Sequence, residues 1–598
     1  MDDNGDPVYN LTHQGFQILE AIKNNPEEER NIRAIGGIHF DYKISEEFSF
    51  KTKVSGTYDR YQREAYTQPG SVLDGYVGDP AAPGSKRDNG SDTFEYTWLN
   101  QVTFNKEFGD HKVDALVFTE YTKNKWHSYT LGSKGYASSL LVTQDNSSEA
   151  TSASTSRQDF SLFSIAGAAN YSYLGKYLVS VSIRRDGASR FGEDEKYGVF
   201  WSGSLAWNIA KEDFFNLDYV DHLKARVSYG TLGSWDIPNY ASQGYYGFSA
   251  YGGESAAVPN TNIGNKALTW EEQSTFDFGV EYSLFNGRVS GVMDYFVNTR
   301  TEFLFENPLP YEGGSYTQFT NAGEMQTRGF EFEVSGDVIK TKDFTWNMGL
   351  NMTFLDYEVK ELNGQEQIIV DGNNVLKEGE TPFTFYMPRY AGVDPANGDA
   401  LYYDKDGNVT NVFSSGNSVA LVGKSPLADM YGGLRTTFSY KGIDLTADFS
   451  FKQGNYVYNY MTYNQLSDGD NIFDNQRVDA ANYWKNPGDT NVLPKPNQNT
   501  NQVTDRFLQD ASYIRFRNLT LGYTLPPSIV EKLNLTKVRI YVQAQNLHTW
   551  TDFEGDPEVS VGSGENQLGA TQDFIPGAFA LYSYPATQSI MFGIDIKF

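Results

Sequence analysis

Apolar and polar residues alternate with a period of two along most of this chain. Residues 588–598 show the pattern clearly: one parity carries Ile590, Phe592, Ile594, Ile596 and Phe598, and the other carries Ser589, Gly593, Asp595 and Lys597. Successive side chains of a β-strand point to opposite faces, so this pattern predicts a strand with one apolar face and one polar face. Such a strand suits the closing position of a membrane β-barrel.

The same alternation predicts about 17 strands of the length that tilted membrane strands need. They lie at 32–42, 48–58, 94–104, 113–121, 163–173, 177–183, 199–209, 223–229, 276–284, 289–297, 330–338, 344–354, 430–440, 443–451, 519–525, 538–544 and 588–598. The predicted fold class is therefore all-β, an antiparallel transmembrane β-barrel.

The connections between these strands alternate between short and long. Short turns lie at 44–47, 105–111, 174–176, 286–288, 339–343, 441–442 and 526–537, with a somewhat longer one at 210–221. Long connections lie at 61–92, 123–157, 231–268, 302–320, 356–429, 452–511 and 551–585, and the link 186–196 is intermediate. Outer-membrane barrels combine short periplasmic turns with long extracellular loops. A periplasmic C-terminus places every long connection outside the cell.

Composition supports a barrel and excludes several other classes. Aromatic residues reach 15%, and no run of about 18 or more apolar residues predicts a spanning helix. The net charge of −28 argues against a nucleic-acid partner, and the absence of cysteine excludes disulfides and thiolate metal sites. Tryptophans near strand ends indicate aromatic girdles at the lipid boundary, although large rings also cap soluble cores; they are Trp98, Trp126, Trp270 and Trp550.

A search for catalytic or metal-binding motifs gives no enzyme and no cofactor. The six histidines, at 13, 39, 111, 127, 222 and 548, lack metal-ligand spacing. Gly423-Lys424-Ser425 resembles the end of a phosphate loop, but Ser418 stands where the required glycine would be. The stretch 394–408 alternates acids like a calcium loop; a hairpin turn at Asp-Gly explains it better, with calcium as the minor alternative.

Substrate contacts are expected in two external loops rich in aromatic residues. The candidates are Trp235, Tyr240, Tyr245, Tyr246 and Tyr251 in one loop, and Tyr311, Tyr316 and Phe319 in the other. Flat rings stack on sugar faces, and amides and carboxylates satisfy hydroxyl groups. The alternative is that these rings pack the loops or meet a lid protein.

Five segments of the chain resemble the SusC/RagA class of TonB-dependent outer-membrane transporters. They are SIRRDGASRFGEDEKYGVFWSGSLAWNIAKEDFF, LKARVSYGTLGS, NAGEMQTRGFEFEVSGDVIKTKDFTWNMGLNMTF, RYAGVDPANGDALYYDKDGN and SYIRFRNLTLGYTLPPSIVEKLNLTKVRIYVQAQNLHTWTDFEGDPE. Their combination in this order is specific, and the resemblance covers the chain from about residue 31 to its end.

The resemblance implies a barrel of about 22 strands around an N-terminal plug, in the outer membrane of a Gram-negative, Bacteroidetes-like bacterium. It also implies a SusD-like surface lipoprotein as a lid, and import of oligosaccharides or peptides powered through the TonB complex. No signal peptide, plug or TonB box is evident here. We therefore expect residues 1–30 to be a loop remnant and residues 31–598 a partial barrel, a reading that the odd strand number supports.

Two alternatives of other classes remain at this point. A passive porin would need a closed, even-numbered barrel, and an all-β binding protein without lipid contact would be monodisperse without detergent. Within the transporter class, a peptide substrate remains open beside the oligosaccharide.

Overall fold

The computed structural model describes residues 18–251, 254–259, 262–309, 316–370, 373–470, 475–496, 501–558, 578–580 and 585–598. Its strands, in chain order, are β1 (Glu27–Lys43), β2 (Phe48–Thr67), β3 (Ser85–Phe108), β4 (His111–Tyr136), β5 (Ser147–Tyr173), β6 (Tyr177–Ala188), β7 (Tyr197–Asn208), β8 (Val220–Ser234), β9 (Tyr246–Tyr251), β10 (Glu254–Pro259), β11 (Glu271–Leu284), β12 (Val289–Pro308), β13 (Thr317–Lys340), β14 (Phe344–Glu361), β15 (Gln367–Ile369), β16 (Asn374–Lys377), β17 (Thr384–Met387), β18 (Tyr390–Val393), β19 (Ala400–Tyr403), β20 (Val409–Thr410), β21 (Val419–Ala420), β22 (Met430–Tyr440), β23 (Ile443–Gln453), β24 (Tyr456–Asn459), β25 (Leu508–Asp510), β26 (Tyr513–Thr524), β27 (Lys537–Thr551), β28 (Phe579–Ala580) and β29 (Ser589–Lys597).

Within the described residues, four short α-helices accompany these strands: α1 (Ile18–Asn24), α2 (Val72–Val77), α3 (Tyr460–Gln465) and α4 (Pro527–Val530). None of the helices in the described part of the chain is long and apolar enough to cross a membrane.

Seventeen strands form one antiparallel sheet that is the barrel wall. They are β1–β8, β11–β14, β22, β23, β26, β27 and β29, and each pairs with the wall strand that precedes or follows it in the chain. Every one of the predicted strand segments is part of this wall. The remaining strands form small sheets in the connections between wall strands.

The outward face of the wall carries the apolar parity. One row of paired residues runs across five strands, from Ile38 through Val54, Trp98 and Tyr121 to Phe163. Of these, Ile38 is 82% exposed, and the outward-facing apolar residues of β29 are exposed as well, from Ile596 at 47% to Phe592 at 85%. Apolar rings and branched side chains that stand open over many adjacent strands are typical of a lipid-facing barrel surface.

The opposite parity faces the barrel interior and carries polar cross-strand pairs. The Arg226 guanidinium donates to Asp277 across β8 and β11 at 3.0 Å, and Arg539 donates to Asp444 at 2.6 Å. Hydroxyl pairs such as Thr97 with Thr122, 3.0 Å apart, add neutral contacts. The interior wall is therefore polar and internally hydrogen-bonded.

Tight turns join the wall strands at the end opposite the long connections. Between β22 and β23, Tyr440 pairs with Ile443, which leaves only Lys441 and Gly442 in the turn. Both residues have positive φ, 47° and 88°, as a two-residue hairpin turn with the right-handed twist of the sheet requires. Glycine adopts this conformation without a steric penalty, so Gly442 favours the turn that the sequence predicts at 441–442.

The structure corrects the expected loop lengths on the other side. The expected connection 123–157 is mostly strand, because β4 continues to Tyr136 and β5 starts at Ser147. The expected connection 61–92 is about half strand, because β2 continues to Thr67 and β3 starts at Ser85. These extensions are polar, so they lack the apolar alternation by which the membrane strands were found. Beyond the apolar, lipid-facing part of the wall, these hairpins are continued by antiparallel backbone hydrogen bonds without an apolar face.

Two further expectations need correction, and a third is confirmed. Residues 1–17 of the expected loop remnant lie outside the described residues, whereas residues 18–24 form α1, and β1 starts at Glu27 rather than at residue 31. Trp270 is only 6% exposed and packs in a loop core instead of a girdle, while Trp98 and Trp550 stand open on the outward face. In the stretch 394–408, β19 pairs with β20, which confirms the hairpin around Asp404–Asn408.

Candidate functional site

The outer ends of β5–β8 and β11 enclose a cavity of about 330 Å³, here called the lumen cavity. Its lining includes Leu162, Ser182, Arg184, Asp186, Phe200, Ser202, Trp235 and Trp270. Ser182, Arg184 and Asp186 alternate along β6 with Val181 and Ile183, which are more than half exposed on the outward face. Because alternate side chains of a barrel strand face opposite sides, the cavity opens toward the barrel interior.

The charged groups of the lumen cavity neutralise each other. The Nε atom of Arg184 lies 2.6 and 2.7 Å from the two carboxylate oxygens of Asp186, and its Nη2 donates to the Ser164 hydroxyl at 2.8 Å. Asp186 is 7% exposed, so this pairing offsets the cost of burying its charge. The guanidinium also lies 5.8 Å from the ring centre of Phe118 on β4, another interior-facing residue.

Neutral hydroxyls and aromatic rings form the rest of the lining. The hydroxyl oxygens of Ser182 and Ser202 are 2.6 Å apart across β6 and β7. The Trp270 ring packs against Phe200 at 5.4 Å between centres, and its Nε1 donates to the carbonyl of Lys196 at 3.1 Å. A ligand in this cavity meets hydroxyl donors and acceptors beside flat apolar surfaces.

The Trp235 side chain is held at the edge of the cavity by Arg190. The Arg190 guanidinium lies 4.5 Å from the Trp235 ring and 4.6 Å from the Phe160 ring. Its Nε donates to the Asn239 side-chain oxygen at 2.8 Å, and burial lowers the pKa of Arg190. This sandwich of two rings around a cation positions Trp235 as part of a rigid wall.

The predicted site residues that the structure describes lie in several separate environments. Trp235 and Phe319 pack against one buried cluster that contains Leu268 and Trp270, but of the two only Trp235 lines the lumen cavity. Tyr240 lies elsewhere: its hydroxyl donates to Asp159 Oδ1 at 2.8 Å.

Tyr245, Tyr246 and Tyr316 do not line the lumen cavity. Tyr245 and Tyr246 are exposed, at 49% and 69%, further along the loop that begins at Trp235. Tyr316 is half-buried, and its carbonyl accepts a hydrogen bond from Leu309 at 2.9 Å. Tyr311 and the side chain of Tyr251 lie outside the described residues.

The structure also reveals lining residues that sequence reasoning missed. Ser182, Arg184 and Asp186 occur on the polar parity of β6, and nothing in their spacing separates them from other interior-facing residues. A second cavity of about 600 Å³ lies in the connection between β24 and β25. Its lining contains Tyr483, Pro494 and Pro496, an aromatic and proline-rich signal that was visible in the sequence of the predicted loop 452–511.

The apolar outward face and the polar interior of the antiparallel wall define the class as a membrane β-barrel. Residues 2–547 match the family model described as TonB dependent receptor-like, beta-barrel. The chain therefore belongs to this family, as the resemblance implied.

Individual relatives support the assignment. The chain is 29% identical to TonB-dependent receptor P3 of Formosa agariphila, over 100% of this chain and 61% of that protein. It is 26% identical to TonB-dependent receptor SusC of Bacteroides thetaiotaomicron, over 97% of this chain and 57% of that protein. The solved structure of the RagAB peptide transporter matches with a TM-score of 0.85 and 25% identity, over 100% of this chain and 66% of that one. The chain thus spans about three fifths of the length of these curated relatives.

Proposed function

We propose that this chain is the barrel of a SusC-type transporter that imports oligosaccharides across the outer membrane. One observation carries the choice of substrate: the only cation and carboxylate in the described lining of the lumen cavity, Arg184 and Asp186, are paired with each other. Hydroxyls and the Trp235 ring are left for the ligand, which suits an uncharged molecule rich in hydroxyl groups.

A peptide is the second candidate substrate. The match to the RagAB peptide transporter supports it, because the barrel wall of that structure superimposes on this one over the whole chain. Asp468 and Arg477 line the second cavity. They would bind the charged termini of a peptide if their present ion pairs were replaced by contacts with the peptide.

The remaining steps of import need partners. We propose a SusD-like lipoprotein as a lid over the long connections, where the exposed Tyr245 and Tyr246 offer rings for contact. We also propose that the TonB complex supplies the energy, through a region of the receptor that corresponds to the part of the relatives that this chain does not span. Dissipating the proton gradient should then stop uptake of a labelled oligosaccharide by cells that carry the receptor.

Calorimetric titration of the detergent-solubilised chain with oligosaccharide and peptide series tests the substrate. We expect Trp235→Ala to weaken oligosaccharide binding about tenfold, because a stacking ring contributes roughly 1–1.5 kcal/mol, and Trp235→Phe to retain most of the affinity. Trp550→Ala is the matched control, since this ring is 49% exposed on the outward face. Peptide binding with no oligosaccharide heat would favour the second candidate, and oligosaccharide binding unchanged in Trp235→Ala would remove the lumen cavity from the proposal.

A further inference from the structure

A groove of about 390 Å³ lies on the outside of the barrel wall, in the middle of β2–β5, where their polar extensions begin. Its lining includes Tyr58, Asp92, Phe94, Lys125, His127 and Arg157, and Tyr240 closes one side. Tyr58 and Phe94 pair with each other and are 37% and 47% exposed, on the parity that carries the lipid-facing residues of the same strands. The groove therefore opens away from the lumen, unlike the site proposed for the substrate.

Strand register places this groove just above the apolar band. The row of Val54, Trp98, Tyr121 and Phe163 is apolar. Four residues further toward the long connections, Tyr58 and Phe94 share a row with Lys125. This shift corresponds to about 13 Å along a strand. The next row places Arg60, Asp92, His127 and Arg157 side by side. The outward face thus changes from aromatic to charged within two rows, as expected at the level of lipid head groups.

The two carboxylates of the groove already have partners. Asp92 accepts a hydrogen bond from the Tyr58 hydroxyl at 2.6 Å and lies 3.8 Å from the Arg60 guanidinium. Asp159 is paired with Lys123 and accepts from the Tyr240 hydroxyl at 2.8 Å.

Two cations of the groove have no carboxylate partner among the described residues. Within the described part of the chain, neither Lys125 nor Arg157 forms an ion pair, and both are exposed. An excess of positive charge is therefore concentrated at one place on a protein whose net charge is −28.

We propose that this groove binds the phosphate group of an anionic lipid of the outer leaflet, with its acyl chains along the row that ends at Phe163. Lys125 and Arg157 would contact the phosphate, because guanidinium and ammonium groups form charge-assisted hydrogen bonds to it. Basic groups at the head-group level attract anionic lipids, and the apolar row below gives the chains a surface to follow. The groove is a lipid site on the barrel, separate from the substrate path.

Native mass spectrometry tests this proposal. The chain is released from nanodiscs of neutral phosphatidylcholine that contain either diphosphorylated lipid A or its dephosphorylated form. We expect the wild-type chain to retain the phosphorylated lipid. The double variant Lys125→Gln/Arg157→Gln should lower retention roughly ten- to thirtyfold, the loss expected when two surface cations no longer face an anionic lipid. Lys51→Gln/Lys53→Gln is the control, because it removes the same charge from β2 on the parity opposite to Val54.

Three results would overturn the proposal. The first is equal retention of the phosphorylated and dephosphorylated lipids by the wild-type chain, a comparison that needs no variant to fold. The second is equal loss in the control and the test variant, each checked for the heat-dependent gel shift of a folded barrel. The third is binding of inorganic phosphate alone, with the same dependence on Lys125 and Arg157, in a chain that retains no lipid.

Discussion

Arg515 shows how one buried cation fixes an external segment to the barrel wall. It lies near the outer end of β26, its side chain is 3% exposed, and it pairs with Asp556 and with Glu558, the latter at 2.7 Å. Both acids belong to the segment that follows β27, in which Glu554 pairs in turn with Arg477. This segment is therefore held by Arg515 from the wall strand β26 and by Arg477 from the connection between β24 and β25.

Removing this cation should release residues 552–558. Arg515→Met leaves the buried Asp556 carboxylate without its counter-charge, which costs about 3–5 kcal/mol at such sites, whereas Glu558 keeps its ion pair with Arg517. We expect much faster hydrogen exchange in this segment by mass spectrometry, with the barrel strands unchanged. The same substitution at Arg435, whose side chain is 67% exposed beside Asp448, should cost less than about 1 kcal/mol. Equal exchange in the two variants would contradict the anchoring role of Arg515.

The same contacts predict loosening of the segment in acid. The hydrogen bond from Arg477 lowers the pKa of Glu554. Burial alone would raise the pKa of Asp556, but hydrogen bonds from Ala586 and Arg515 outweigh it and lower the pKa. A lowered folded-state pKa stabilises the segment above the ordinary values of 4.5 and 3.8, and this contribution disappears as the pH falls through the lowered values.

A fluorophore on Asp552→Cys would report this change, because the chain has no other cysteine. We expect its anisotropy to fall below about pH 4. In a chain that also carries Arg515→Met, the anisotropy should be low already at neutral pH, and a pH step that persists unchanged there would contradict the assignment.

At the scale of elements, the sequence predicts the wall strands but not the architecture between them. Alternation located strands such as β29 because lipid selects apolar residues on one face. The polar extension of β5 from Ser147 was missed, since strands outside the membrane need no such alternation. Likewise Trp235 stood out as a loop aromatic, whereas Arg184 and Asp186 became site residues only when strand pairing brought them to Ser164 and Ser202.

The long connections also form packed structure of their own, through a buried ion pair. Asp468 has no exposed side-chain surface, and Arg506, 10% exposed, donates to both of its oxygens while lying 5.1 Å from the ring of Tyr390. The neighbouring Phe507 belongs to a buried cluster with Phe385 and other residues from three connections. This pair therefore ties together segments that are far apart in the chain.

Arg506→Met should open this external cluster while the wall remains intact. The uncompensated Asp468 carboxylate would cost about 3–5 kcal/mol, because it is buried. Chymotrypsin should then cut near Phe385 and Phe507 many times faster than in the wild-type chain. Lys485→Met serves as the control in the same connection, since its ammonium lies over the exposed Tyr483 ring at 5.0 Å and is expected to contribute less than about 1 kcal/mol. Unchanged cleavage in Arg506→Met would show that the cluster does not depend on the pair.

At the scale of the whole molecule, the outward apolar surface predicts a requirement for detergent. Rows such as the one from Ile38 to Phe163 continue around the wall, and side chains such as Phe592 stand 85% exposed. Exposed apolar area of this extent associates in water. We expect size-exclusion chromatography to give one species in detergent or nanodiscs and aggregates after detergent removal. A monodisperse species in buffer alone would contradict the membrane placement.

The ends of the sheet make a last prediction about how the wall is arranged. Neighbouring wall strands run in opposite directions. Because the wall has seventeen strands, an odd number, its first strand, β1, and its last, β29, run in the same direction. No pairing joins β1 to β29 within the described residues, and antiparallel closure between two strands of equal direction is impossible. If all neighbouring strands of the closed wall are antiparallel, an odd number of additional strands lies between the two edges.

Cysteine pairs and a short bifunctional thiol reagent test this arrangement in nanodiscs, because the natural chain contributes no thiols. We expect Ile38→Cys/Val54→Cys to cross-link efficiently, since these residues are directly paired on β1 and β2. Ile38→Cys/Phe592→Cys should stay unlinked, because strands inserted between β1 and β29 would keep these positions at least two strand spacings, about 10 Å, apart. Efficient linkage of the second pair would mean that the two edges meet in parallel and that the wall closes with the strands already seen.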